Sequence, residues 1–282
     1  MSAQSEQPPE PELLWEVAEG VARMTLNRPQ AGNSITPGQR GQIIDRLGEA
    51  SADPRVRAVV LTGAGDRHFC TGAALGAPAA PAAPAEDLPE GLPENPAGTV
   101  ARAIAGGAQQ LVSAVLDCEK PVIAAVNGTA AGIGCHLAYA CDLVLAADHA
   151  RFIEVFVRRG LVVDGGGAYL LARLVGPQKA KELVFFGDDL PAADAERIGL
   201  VNRVVPADEL AGAAGAWAAR LAAGPTVALG LGKRLINHAL DGDRAASLAE
   251  EALAAEINMT SEDGREGLRA FVERRSPRFR GW

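Results

Sequence analysis

Short apolar runs that end in glycine-bearing turns and alternate with helix-forming stretches constrain this chain most. Val56 to Leu61 leads into Thr62-Gly63-Ala64-Gly65, Pro121 to Val126 leads into Asn127-Gly128, and Leu143 to Ala146 follows a short helical stretch from Gly132 to Ala140. Uninterrupted apolar runs of this length suit strands buried on both faces. Leu13 to Val17 and Val21 to Leu26 read as two further strands with Glu19-Gly20 at the turn. Thr36 is placed to cap a helix over 37–51, after the loop Asn27-Arg28-Pro29, and a second helix is expected from about Thr99 to Asp117. From Gly165 the pattern turns helical, over roughly 165–174, 177–186, 191–197, 207–223, 225–240, 243–258 and 261–274, with a short strand near Val201 to Val205. Strands alternating with helices, followed by a helical tail, predict an α/β core with an α-helical C-terminal subdomain.

The expected boundaries are a disordered N-terminus at 1–11, a core at 12–205 and a helical subdomain at 206–282. Within the core, 76–98 is rich in alanine and proline (Pro78, Pro81, Pro84, Pro89, Pro93, Pro96) and is expected to be a loop or lid.

Among 282 residues, 48% are hydrophobic and 22% charged, the make-up of an ordinary globular protein. The formal net charge of −8 argues against nucleic-acid binding, which needs a basic face to release counterions from phosphate. The polar, acidic N-terminus lacks a signal peptide's basic start and apolar run, and no stretch reaches the length of a membrane helix, so a cytoplasmic protein is expected. Cys70, Cys118, Cys135 and Cys141 form no CxxC pair and read as reduced core residues, with no metal site.

Two glycine-bearing turns could carry chemistry. One is His68-Phe69-Cys70-Thr71-Gly72-Ala73-Ala74-Leu75; the other, Asn127 to His136, joins a strand to a helix. Glycine permits close backbone approach and a helix start leaves N–H groups unpaired, so two such groups on one oxygen would stabilise a developing oxyanion. By composition alone the signal is weak, because tight strand–helix turns are usually just turns. Gly132-Ile133-Gly134 does not make a dinucleotide fingerprint, because Leu137 stands where a final Gly or Ala is wanted. Asp164, after an apolar run and before three glycines, reads either as a helix N-cap or as a carboxylate in an apolar pocket.

Taken together, these segments resemble the enoyl-CoA hydratase/isomerase (crotonase) superfamily. The resemblance rests on AVNGTAAGIGCHLAYACD at 125–142, with 150–176, GLVNRVVPADEL at 199–210, the tail at 262–281, FCTGAAL at 69–75 and NRPQAGNSIT at 27–36, all in order. It implies a spiral of ββα units with a helical C-terminal region, assembled as a homotrimer or hexamer. It also implies an acyl-CoA substrate, with no permanently bound cofactor, and an oxyanion hole formed by the N–H groups of Ala73 and Ile133.

Typical hydratases of the family carry glutamates where this chain has His136 and Phe156. Asp164 instead resembles the aspartate of dienoyl-CoA isomerases, of ring-modifying isomerases of phenylacetate catabolism, and of 4-chlorobenzoyl-CoA dehalogenases. An isomerase using Asp164 as acid/base is therefore expected. The alternatives are a hydratase, an Asp164-nucleophile hydrolase or dehalogenase, and a non-catalytic acyl-CoA binder. His136, near a helix N-terminus, is expected to be neutral and to join the catalytic group. Glu154 reads as a surface ion-pair partner of Arg158 or Arg159, and His68 as an exposed loop histidine. CoA contacts are expected at Arg28, Ala31, Thr71, Ala73, Ala74, Leu75 and Lys233, with help from Arg274, Arg275 and Arg278.

Overall fold

A computed structural model describes residues 10–74, 76, 93 and 96–282. Leu75 and almost all of the expected lid lie outside the described residues. Pro11, expected in a disordered terminus, is tied to the fold by its carbonyl, which accepts from Asn27 Nδ2 at 3.0 Å.

The order ββα recurs four times. The first unit is β1 (Leu13–Ala18), β2 (Val21–Leu26) and α1 (Pro37–Ala52); the second is β3 (Ala58–Gly63), β4 (His68–Cys70) and the helical pair α2 (Thr99–Ile104) and α3 (Gln110–Leu116). The third is β5 (Val122–Val126), β6 (Thr129–Ala131) and α4 (Ile133–Ala140); the fourth is β7 (Leu143–Ala147), β8 (Arg151–Ile153) and α5 (Gly167–Phe186). Then follow β9 (Asp189–Pro191), α6 (Ala192–Arg197), β10 (Arg203–Val205), α7 (Leu210–Ala222), α8 (Thr226–Ala239), α9 (Arg244–Thr260) and α10 (Glu262–Val272).

Strands of each unit after the first divide between two sheets. A six-stranded sheet runs β1-β2-β3-β5-β7-β10, and a four-stranded sheet runs β4-β6-β8-β9. Apart from the β1–β2 and β8–β9 pairs, all pairings are parallel. This is the expected spiral of ββα units. The long strands were legible in the sequence, but the small sheet was not. Its members are three residues each, too short to display a period.

Local chemistry explains the boundaries. Thr36 Oγ1 accepts from Gln39 N at 3.1 Å and Pro37 opens α1, so the expected cap is present. The expected break between residues 174 and 177 is a kink within α5 at Gly176, with φ 76°, followed by Pro177. α7 turns Leu210, Ala214, Ala218 and Ala222 inward at four-residue spacing and packs them on the large sheet. All eight residues of α4 are buried, as befits a helix apolar all round. Asp263, only 2% exposed, takes the backbone N–H groups of Arg280 and Gly281 and so fastens the C-terminal tail.

Among the described residues no helix is long and apolar enough to cross a membrane. All four cysteines are free and buried. Burial pushes the Cys70 thiol up to about 12 and the Cys135 and Cys141 thiols up as well. Because the thiolate is the reactive form, a disulfide reagent at pH 8 should leave Cys70, Cys135 and Cys141 unlabelled in the folded protein and label all four cysteines in denaturant. Rapid native labelling would show that this core opens.

Candidate active site

The site begins with two strands ending side by side. β4 and β6 are parallel, with Cys70 opposite Ala130, and Ala73 and Ile133 each lie three residues beyond that pair. Glycines let the turns close on each other. A Cβ on Gly72 would lie 3.3 Å from the Ala131 carbonyl, and one on Gly134 would overlap the Cys70 carbonyl. Gly132, at φ 53°, makes the bend into α4.

Both N–H groups at these positions are left over. Ile35 N donates to Gly72 O at 2.8 Å and Ala74 N to Ile35 O at 2.9 Å. In such a bridge the intervening Ala73 N–H points to the opposite side. Ile133 is the first residue of α4, where an N–H has no intrahelical acceptor. Neither N–H has an acceptor among the described residues.

Ala73 and Ile133 line a cavity of about 240 Å³ together with Thr71, Leu111, Phe156 and Asp164. Asp164 is half-buried, and it contributes the one carboxylate of the described wall. It is not a cap: Gly166, at φ 88°, holds the N-cap position of α5, and only the Asp164 backbone carbonyl bonds the helix, through Gly167 N at 3.1 Å.

His136 was expected in the catalytic group, but the structure places it behind this wall. Its ring is fully buried, stacks on Phe156 at 5.4 Å and 8°, and makes a 3.1 Å contact from Nε2 to Glu154 Oε2. Gly165 and Gly167 make room for it; a Cβ on Gly167 would overlap the imidazole. Glu154 is therefore no surface ion-pair partner of Arg158 or Arg159. It is 3% exposed, and Arg158 pairs with Asp189 instead. The apolar residues on both sides, Phe152-Ile153 and Val155-Phe156, were the signal that Glu154 points inward.

The enoyl-CoA hydratase/isomerase family model matches residues 16–281. The chain belongs to that family. It is 38% identical over 270 residues to a probable enoyl-CoA hydratase of Rhodobacter capsulatus, covering 95% of this chain and 98% of the relative. It is also 38% identical over 271 residues to the 1,2-epoxyphenylacetyl-CoA isomerase of Escherichia coli, covering 95% and 98%. Its fold matches the crystal structure of a putative enoyl-CoA hydratase from Streptomyces coelicolor with a TM-score of 0.85 and 35% identity, covering 100% and 98%.

The residues expected around CoA in this family member divide into two groups. Thr71 and Ala74 cluster with Ala31 near the cavity, because Thr71 N donates to Gly32 O at 3.0 Å and joins the 29–35 loop to the 71–74 turn. Asn33, fully buried, fastens that loop through Ala64 O and His68 O. Three of the expected cations, Arg28, Lys233 and Arg275, are otherwise engaged. Arg28 bonds Ser34 O at 2.6 Å and Glu12 at 3.1 Å. Lys233 is not a free phosphate clamp: its side chain is 6% exposed, pairs with Asp142 at 2.9 Å and donates to Val115 O. Arg275 pairs with Glu266 and Glu273 within the tail. His68 is no exposed loop residue either, since it opens β4 and its Nδ1 is buried. Arg40, which the sequence did not single out, and Arg159, expected only as an ion-pair partner of Glu154, line the cavity.

Two outcomes follow for stability. Glu154→Ala should cost about 1–3 kcal/mol in denaturant unfolding, since it leaves the buried His136 Nε2 without its hydrogen-bond partner; Glu154→Gln should cost less. Gly134→Ala should cost about 1–3 kcal/mol and weaken acyl-CoA binding together, because α4 must move away from β4.

Proposed function

We propose that this protein is an acyl-CoA double-bond isomerase in which Asp164 moves the proton. One observation carries the reading: the one carboxylate of the described wall shares a mostly apolar cavity with two backbone N–H groups that have no acceptor among the described residues. The CoA thioester is substrate, and no resident cofactor is required.

The thioester oxygen accepts hydrogen bonds from Ala73 N–H and Ile133 N–H. As a proton leaves an allylic or γ carbon, charge moves onto that oxygen, and the fixed donors hold it without reorganising. Each donor of this kind is worth roughly 3–4 kcal/mol in the transition state. Asp164 takes the proton, becomes neutral, and returns it at another carbon, so the double bond shifts and the carboxylate is regenerated. General acid–base transfer contributes about 10²–10⁴-fold. His136 and Glu154 serve as positioning residues. They support the 164–167 turn and Phe156 from behind.

Support for isomerisation comes from Phe156, which lines the cavity where the family resemblance puts a hydratase glutamate, and which cannot hold a proton. The name of the Escherichia coli relative agrees with it. Hydration is the second reading, favoured by the Rhodobacter capsulatus relative's name. Apolar side chains exposed on the last three helices, such as Ile236, Leu253 and Phe271, support self-assembly as a trimer or hexamer.

The deciding experiment offers 3-enoyl-CoA and 2-enoyl-CoA in ¹⁸O-labelled deuterated water. Isomerisation predicts interconversion of the two without ¹⁸O, deuterium entering the acyl chain only as far as the Asp164 proton exchanges with solvent before its return, and kcat falling by about 10²–10⁴ in Asp164→Asn. A 3-hydroxyacyl product carrying ¹⁸O would instead establish hydration, and full turnover in Asp164→Asn would remove the aspartate from the mechanism.

A further inference from the structure

The cavity wall carries more positive charge than the proposed reaction uses. Arg40 on α1 and Arg159, in the turn Val157–Arg159, both line it beside Asp164. Neither guanidinium has an ion-pair or hydrogen-bond partner among the described residues, whereas the neighbouring Arg158 is paired with Asp189 at 2.9 Å. One carboxylate and two guanidiniums leave the described wall with one excess positive charge.

Arg40 sits in a place shaped for it. It is half-buried, and its Nη1 would lie 2.9 Å from a Cβ on Gly107. Gly107 belongs to the single π-helical turn Ala105–Gln109 between α2 and α3. Such turns are rare and often mark functional positions. Here the widened turn and the missing side chain leave the guanidinium space at the cavity edge. Arg159 is exposed at the rim.

The cavity also limits what can meet these groups. About 240 Å³ is below the usual volume of a drug-sized pocket. It holds a short acyl group but not the nucleotide, so the CoA phosphates remain outside. A hydrocarbon acyl chain would remove water from Arg40 and return no hydrogen bond, which is costly for a charged group. A carboxylate would take the planar guanidinium in two parallel bonds and neutralise the excess charge.

We infer that the preferred acyl group ends in a carboxylate, bound by Arg40 with Arg159 at the rim. The inference rests on the acyl-CoA reading of this cavity and names the substrate class. Its test uses two saturated, unreactive thioesters of equal chain length, one methyl-terminated and one ω-carboxylated, titrated into the full-length protein by calorimetry. The carboxylated thioester should bind at least about 10-fold more tightly. Within each variant the ratio of the two dissociation constants is the readout. Arg40→Met should bring that ratio close to one, Arg40→Lys should retain part of it, and Arg159→Met should lower it less. Equal binding of the two thioesters to the native protein, or a ratio unchanged in Arg40→Met, would overturn this inference alone. Failure of both thioesters to bind would overturn the acyl-CoA reading and the inference with it.

Discussion

The close approach of two strand ends is the constraint on which the rest of the site depends. β4 and β6 run parallel with a register shift between His68 and Cys70, and from the Cys70–Ala130 pair the two segments leave side by side, with α4 beginning three residues beyond Ala130. Gly72 and Gly134 permit contact at the two places where a side chain would push the turns apart. The first amide is freed by the bridge to Ile35 and the second by its position at a helix start. A donor pair built from backbone is held by the whole sheet and needs no side-chain ordering when charge develops. That is why Ile133 and Ala73 can fill these positions without any chemistry in their side chains.

Behind this frame lies a layer that performs no proton transfer in the proposed reaction. His136, Glu154 and Phe156 form a stack and a hydrogen bond, on which Gly165 and Gly167 rest. An enclosed imidazole and a hydrocarbon ring stand where the family resemblance implies the glutamates of a hydratase, and the one carboxylate of the described wall is that of Asp164. A buried hydrogen bond adds little net stability, but removing one partner leaves the other buried and unsatisfied, which is costly. The pair therefore ties the geometry of the 164–167 turn to an interaction remote from the substrate.

Legibility in the sequence followed length and local chemistry. β3, β5 and β7 announced themselves as apolar runs, and α1 by Thr36 and Pro37, because strand burial and helix capping are set by neighbours in the chain. β4, β6, β8 and β9 are three residues each and owe their pairing to distant partners, so no periodicity marked them. Asp164 and the two glycine turns could be found as candidates, yet their convergence depends on the register between strands about sixty residues apart. Glu154 was misread because a charged residue ordinarily stays in water, and the partner that brings it inside, His136, is supplied by another helix. Lys233 was misread for a related reason: its basic side chain looked available, but a half-buried Asp142 holds it. Arg40 gave no signal at all, since a single arginine on an exposed-looking helix is ordinary until the π turn is placed against it.

The central claim is that two amides meet one thioester oxygen, and infrared spectroscopy reads that oxygen directly. An unreactive acyl-CoA labelled with ¹³C at the thioester carbonyl should show, when bound, a C=O stretch displaced to lower frequency than in water. The band should also be narrower, as expected for a carbonyl polarised by two fixed donors. A saturated complex whose carbonyl band stays at its aqueous position and width would contradict the account.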